Sequence, residues 1–283
     1  MTRDSREQAQ RERFESLYAR SQSPVMLAIE RSVCGCDYGG NSWTTRVEAE
    51  QVAARLALRP GVRLLDLGAG SGWPGLYMSK ASGCDVVLVD LSSTGLSIAA
   101  RRADNDGIPG HIWVTFADAA ALPFPDCSFD AVSHSDLLCC LRQKRSVLAE
   151  CRRVVRRRGR MVFTVISLAP GLSAEQYLRA VENGPEFIET DTDYSTLLAQ
   201  TGWIITDRED ITAAFAASCR RLLRADEAQK DGLMALIGAS EFAERVAKWR
   251  SKLTAMGDDL LRRELFAAVP SPEQVRALKL ADG

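Results

Sequence analysis

Histidine is nearly missing: the 283 residues include two, His111 and His134. The eight cysteines, at 34, 36, 84, 127, 139, 140, 151 and 219, show no repeated C-x-x-C spacing. These scarcities argue against a metal site, because structural zinc needs four nitrogen or sulfur ligands at short recurring intervals, and buried free thiols are the simpler reading. Net charge is missing too. A formal charge of −1 and a pI near 6.2 give no general attraction to polyanions, so neither nucleic acid nor an anionic membrane is expected as the main partner. No apolar run reaches the roughly 18 residues of a membrane span, and MTRDSREQAQRERFESLY carries no apolar signal region. The expectation is a cytoplasmic protein that acts on a small molecule, with a homodimer left open.

Glycine, by contrast, is concentrated. Residues 64–75 read LLDLGAGSGWPG, an apolar run and an acid followed by four glycines in eight residues. Glycine permits positive φ and close approach of backbone to a ligand, so such a turn between a strand and a helix suits a nucleotide. Two registers compete. Gly70, Gly72 and Gly75 spell the dinucleotide pattern G-x-G-x-x-G, whereas Gly68, Gly70 and Gly72 spell G-x-G-x-G with Asp66 two residues ahead.

Around this turn the chain alternates. Helical spacing over 48–58 precedes the strand VRLLDLG; helix 74–82, strand 84–90, helix 93–106, strand 111–118, strand 129–136, helix 143–155 and strand 160–167 come after it. Strands that are apolar throughout and separated by helices imply a parallel sheet covered on both faces, a doubly wound α/β fold. Residues 6–33 read as two helices split at SQSP. Beyond Ser167 a helical excursion, a strand WIITDRED, a helical stretch over 212–259 and a last strand LLRRELFAAVP are expected. Phe242, Val246, Trp249, Leu253 and Met256 recur at steps of four and three, one apolar helix face read as packing.

With these residues in view, the chain resembles the class I S-adenosylmethionine-dependent methyltransferases, in particular the small-molecule group typified by ubiquinone and menaquinone methyltransferases. LLDLGAGSG, VVLVDLS, FADAAALPFPDCSFDAV and LAECRRVVRRRGRMVF carry the likeness across residues 63–166. The resemblance implies a mostly parallel seven-stranded Rossmann-like sheet. It also implies a helical N-terminal cap or lid over 1–47 and a methyltransferase domain over 48–283, with substrate-side insertions at 168–195 and 212–259.

It selects the register in which Asp66 precedes Gly68, with S-adenosylmethionine as cofactor and S-adenosylhomocysteine as product. A NAD-type oxidoreductase and a non-catalytic S-adenosylmethionine-binding module stay as alternatives. By the resemblance, Gly68, Ala69, Gly70 and Gly72 form the turn against the methionyl part, and Asp66 anchors either the turn or the cofactor's ammonium. Asp90 takes the ribose hydroxyls, Leu91 lies against adenine, and Asp118 and the N–H of Ala119 meet the adenine edge.

His134 and Ser135 end the fourth strand beside the sulfonium. His134 is the candidate general base, against a reading in which its ring only packs. Arg46, Trp43 and Tyr18 are candidate donor contacts from the N-terminal segment, with a solvated helix-start arginine as the alternative for Arg46. The arginine-rich VRRRG replaces the family's LKPGG turn and reads as a solvated turn away from the ligand edge. The expected reaction is in-line methyl transfer to oxygen or nitrogen, less readily carbon, of a small molecule.

Overall fold

The computed structural model describes residues 5–40 and 42–272; the remaining ends of the predicted cap and domain lie outside the described residues. The helices are α1 (Ser5–Ser21), α2 (Pro24–Cys34), α3 (Arg46–Arg55), α4 (Gly75–Ser82), α5 (Ser93–Asn105), α6 (Lys144–Val154), α7 (Ala174–Asn183), α8 (Tyr194–Gln200), α9 (Thr212–Ala228) and α10 (Lys230–Gly257). The strands are β1 (Arg63–Leu67), β2 (Asp85–Asp90), β3 (Ile112–Phe116), β4 (Phe129–Ser135), β5 (Val155–Leu168), β6 (Trp203–Asp210) and β7 (Leu261–Pro270).

Among the described residues these strands form one seven-stranded sheet in the order β3-β2-β1-β4-β5-β7-β6. It is parallel except for β7, which runs antiparallel to both β5 and β6. Period-two alternation sorts the central strands onto two cores. Leu65, Leu67, Val87, Val89, Val132 and Phe163 face one, with α6, α8 and α10; Leu64, Val86, Leu88, Ala131 and Val162 face the other, with α3, α4 and α5. Strand order reverses between β1 and β4, which opens a crevice at their C-terminal ends, where open α/β sheets bind ligands.

The N-terminal helices are held differently. Ile29 of α2 is buried with Leu233, Phe242 and Val246 of α10, so α2 is joined to the insertion by an apolar cluster. The expected apolar face of α10 is confirmed by this burial and by the packing of Trp249 and Leu253 on the main core. That helix bends at Gly238, whose φ of 81° and ψ of 161° are not helical. In contrast α1 is mostly polar and touches the body through side-chain hydrogen bonds and a few rings.

One reading is corrected. VRRRG is not a turn: β5 starts at Val155, directly from α6, and Arg156, Arg157 and Arg158 are exposed strand residues. Pairing with β4 jumps from Phe129–Val155 to Ala131–Arg160, so the intervening arginines bulge outward while the strand continues. Neighbouring arginines are structural staples. Arg153 binds Glu150, Asp126 and the carbonyls of Leu122 and Phe124, and Arg152 donates to the carbonyl of Gly202.

Candidate active site

The glycine turn leaves β1 at the crevice. Gly68 N–H and Ala69 N–H both donate to Val89 O, at 2.8 and 3.1 Å, which fixes the turn to the end of β2. Gly70 has φ +50°, and a Cβ there would sit 2.2 Å from Tyr18 Oη, so only glycine lets α1 seat its tyrosine on this turn. Gly75 is explained by packing. A Cβ on it would lie 2.5 Å from Asp66 Oδ2, so glycine lets α4 start against the acid and Leu88.

Asp90 ties this turn to the start of α5. Its Oδ2 accepts from Gly70 N–H at 2.8 Å and its Oδ1 from Ser92 N–H at 2.7 Å. Burial pushes its carboxyl above the ordinary carboxylate range in spite of these donors. Ser92 then caps α5 by accepting from Gly95 N–H. Glu15 of α1 reaches the same helix end and accepts from Ser93 N–H at 2.7 Å and Thr94 N–H at 3.0 Å. Partial burial would raise the Glu15 carboxyl, but these bonds outweigh it and hold it below its usual value. Together with the positive end of the helix dipole, they make Glu15 the main polar tie between α1 and the body.

A cavity of about 620 Å³ opens here, within the usual range for small-ligand sites. Of the residues expected at the site, Gly68, Asp90, Leu91, Asp118, Ala119 and Ser135 line it from the sheet edge. Tyr18 and Trp43 line it from the N-terminal segment. Asp118 is braced by Ala120 N–H at 2.9 Å. Ala69, Gly70 and Gly72 shape the turn behind the wall without lining the cavity. Asp66 is also behind it, 1% exposed, accepting from Ser133 Oγ at 2.6 Å, and burial pushes its carboxyl up to about 7.

Two expectations are corrected. Arg46 is exposed in the first turn of α3, where its Nε bonds Glu50 and Tyr77; the helix-start reading is the right one, and it does not line the cavity. His134 lies on the face of β4 opposite the Ser133–Asp66 pair, stacked on Phe163 with ring centroids 4.5 Å apart. It is 1% exposed, neither ring nitrogen has a partner, and burial pushes its pKa down to about 3. A neutral ring inside the core does not collect a proton from a molecule in the cavity.

The stability effect of His134 has a definite sign. The imidazole titrates near 6.5 when unfolded and about 3 when folded, so it contributes stability above pH 6.5 that is lost as pH falls toward 3. His134→Phe should keep turnover and its pH profile, and should move the acid-unfolding midpoint to lower pH. Circular dichroism against pH and an assay at two pH values check both; a variant that loses turnover while staying folded would restore the base role.

Sequence reasoning missed a buried charge cluster beside Ser135. Asp136, with φ +51°, lines the cavity, and Arg263 of β7 spans its two carboxylate oxygens from Nε at 3.1 Å each. Arg263 Nη1 also reaches Glu48 Oε1 at 2.7 Å. Glu48 closes the capping box of α3 with Thr45. The readable signal was the charged run Arg262–Arg263–Glu264 inside an otherwise apolar strand.

Residues 65–163 match the family described as methyltransferase domain. The chain is 28% identical over 212 residues to 27-O-demethylrifamycin SV methyltransferase of Amycolatopsis mediterranei, covering 74% of this chain and 78% of that one. It is 37% identical over 131 residues to demethylmenaquinone methyltransferase of Clavibacter sepedonicus, covering 46% of this chain and 51%, about half, of that protein. Its fold matches Haemonchus contortus phosphoethanolamine N-methyltransferase 2, solved with phosphomonomethylethanolamine and S-adenosylhomocysteine, at a TM-score of 0.74 and 22% identity over 91% of this chain and 60% of that one. The sheet order and its ligand edge are those of the Rossmann-like methyltransferase fold. The methyltransferase domain over residues 65–163 and these relatives support a class I S-adenosylmethionine-dependent methyltransferase of small-molecule type, with S-adenosylmethionine as cofactor.

Proposed function

We propose that the chain transfers the methyl group of S-adenosylmethionine to an oxygen or nitrogen of a small-molecule acceptor by in-line displacement. The observation that carries the site assignment is the shared wall formed by Asp90, Leu91 and Asp118 at the reversal point of the sheet, beside the glycine turn. Asp90 accepts the ribose hydroxyls with the lone pairs that Gly70 and Ser92 leave free. Leu91 lies against adenine, and Asp118 with Ala119 N–H meets its edge. Tyr18 and Trp43 close the donor from the N-terminal side, and Ser135 faces the sulfonium region. Asp66 anchors the turn from behind. The donor supplies an activated methyl group, and the protein supplies alignment and exclusion of water.

Relatives named for a rifamycin oxygen and for a phosphoethanolamine nitrogen accompany the same donor half, so acceptor choice belongs to the outer elements. Methyl-labelled donor incubated with phenol, amine, carboxylate and quinol libraries tests the proposal. Labelled product supports it; donor binding without transfer to any class favours a binding module.

The lid narrows to α1 within the proposed cap over 1–47. Its ties include Glu15 at α5, Arg6 to Glu186 and the Phe187 ring, Arg20 to Glu241, Arg11 on the Phe116 ring and Tyr18 against Gly70, whereas α2 is fixed by apolar burial. Such a polar docking opens at lower cost than a core. Hydrogen exchange should therefore slow in 5–21 when S-adenosylmethionine binds and change little in 24–34. Equal slowing in both segments would contradict a lid confined to α1.

A further inference from the structure

Two segments from distant parts of the chain line the cavity, and one ring outside it joins them. Glu7, Gln10, Arg11 and Phe14 of α1 form part of the lining, as do Leu141, Arg142 and Gln143 beyond β4. Phe187, between α7 and α8, does not line the cavity, yet both segments meet on it. The Arg6 guanidinium of α1 lies 5.2 Å from its ring centroid, and the Arg142 guanidinium 5.1 Å. Arg6 is also held by Glu186, the residue before the ring. Its Nε and Nη2 reach Glu186 Oε1 at 2.9 and 2.8 Å, and Nη2 donates to the Glu186 carbonyl at 3.2 Å.

Phe187 is fixed to the body of the protein. It is 6% exposed, its N–H donates to Cys139 O at 3.2 Å, and its carbonyl accepts from the buried Lys144 Nζ at 2.6 Å. The next residue, Ile188, is buried in the main core and closes a turn on the carbonyl of Pro185. Arg6 stands on the opposite kind of element. The buried residues of α1 are Tyr18 and Ser21, toward its C-terminal end, so no residue in its first three turns is buried. A fixed post meets the lightly held end of a helix.

We infer that Arg6 is the latch and Phe187 the post that hold the N-terminal half of α1 shut over the cavity, so that their parting sets the rate at which S-adenosylhomocysteine leaves. This rests on the donor and lid readings above and deepens them. The insertion expected to serve the acceptor also holds the donor in place, because residues 186 and 187 supply every named contact of Arg6.

The hold comes from a combination. An exposed ion pair contributes little because water and salt screen it, and the Arg6 side chain is 53% exposed. Two nitrogens on one carboxylate oxygen and a ring against the guanidinium add to that pair, which the planar group allows and an ammonium does not. Neither Arg6 nor Phe187 lines the cavity, so a change at either leaves Asp90, Leu91 and Asp118 in place and alters how long α1 stays shut. Where a lid must open before product leaves, that opening often limits turnover.

The test measures the dissociation rate of S-adenosylhomocysteine from the immobilised full chain by surface plasmon resonance. Arg6→Ala should release it about three- to tenfold faster than wild type, with a smaller change in the association rate. Phe187→Leu should fall in the same range. The double variant should be slower than the product of the two single effects, because both remove one contact. A folded Arg6→Ala protein with the wild-type rate, or a double variant whose effect equals that product, overturns the inference. If Phe187→Leu fails to fold, Arg6→Ala alone decides, since its side chain is exposed. The two levels separate on wild type. No binding of S-adenosylhomocysteine overturns the donor reading and this inference with it, whereas binding with an unchanged rate in Arg6→Ala overturns this inference alone.

Discussion

Asp90→Ala should lower the affinity for S-adenosylmethionine by about 10- to 150-fold, or roughly 1.5–3 kcal/mol. In the proposed donor site the ribose hydroxyls would lose a charge-assisted partner, and the N–H groups of Gly70 and Ser92 lose the carboxylate that aligns the turn with α5. Both effects act on the donor side, so the upper part of that range is the expectation. Isothermal calorimetry on the folded variant checks it. An unchanged dissociation constant would remove Asp90 from the ribose site.

Arg263→Met should cost more in stability than any exposed substitution, about 3–5 kcal/mol, because it leaves Asp136 and Glu48 buried without their cation. The guanidinium is fully buried, and although burial opposes its charge, Asp136 and Glu48 together outweigh that desolvation. Removing all three charges should therefore be milder than removing the arginine. Arg263→Met combined with Asp136→Leu and Glu48→Gln should recover most of the loss, less about 1 kcal/mol for the weakened α3 cap. Urea midpoints of the single and triple variants check this; a single variant within about 1 kcal/mol of wild type would show that the cluster does not hold the segment.

The parallel half of the sheet was legible because its strands are buried on both faces and the glycine turn punctuates them at a fixed offset. Asp90 ends β2, and Leu91 and Asp118 follow β2 and β3 at the same sheet edge, so strand order alone brings the three to one cavity. Arg46 and His134 were misplaced for a shared reason. Chain position fixes which strand or helix end a residue occupies, but the side of the element its side chain takes depends on neighbours such as Tyr77 and Phe163 that arrive from elsewhere. Glu15 sits in a charged helix that reads as solvated, and its function comes from the N-terminus of α5, 78 residues on. VRRRG looked like a turn because arginine and glycine together suggest one, while the register jump that absorbs it exists only once β4 pairs with β5.

The central claim is that the donor nucleoside lies between the glycine turn and the Asp90–Asp118 wall. A crystal structure of the full chain with S-adenosylhomocysteine tests it most directly. The account predicts both ribose hydroxyls within hydrogen-bond distance of the Asp90 carboxylate, adenine against Leu91 with its amine at Asp118, and Tyr18 closed over the ligand. A nucleoside bound elsewhere, or one whose ribose makes no contact with Asp90, would contradict it.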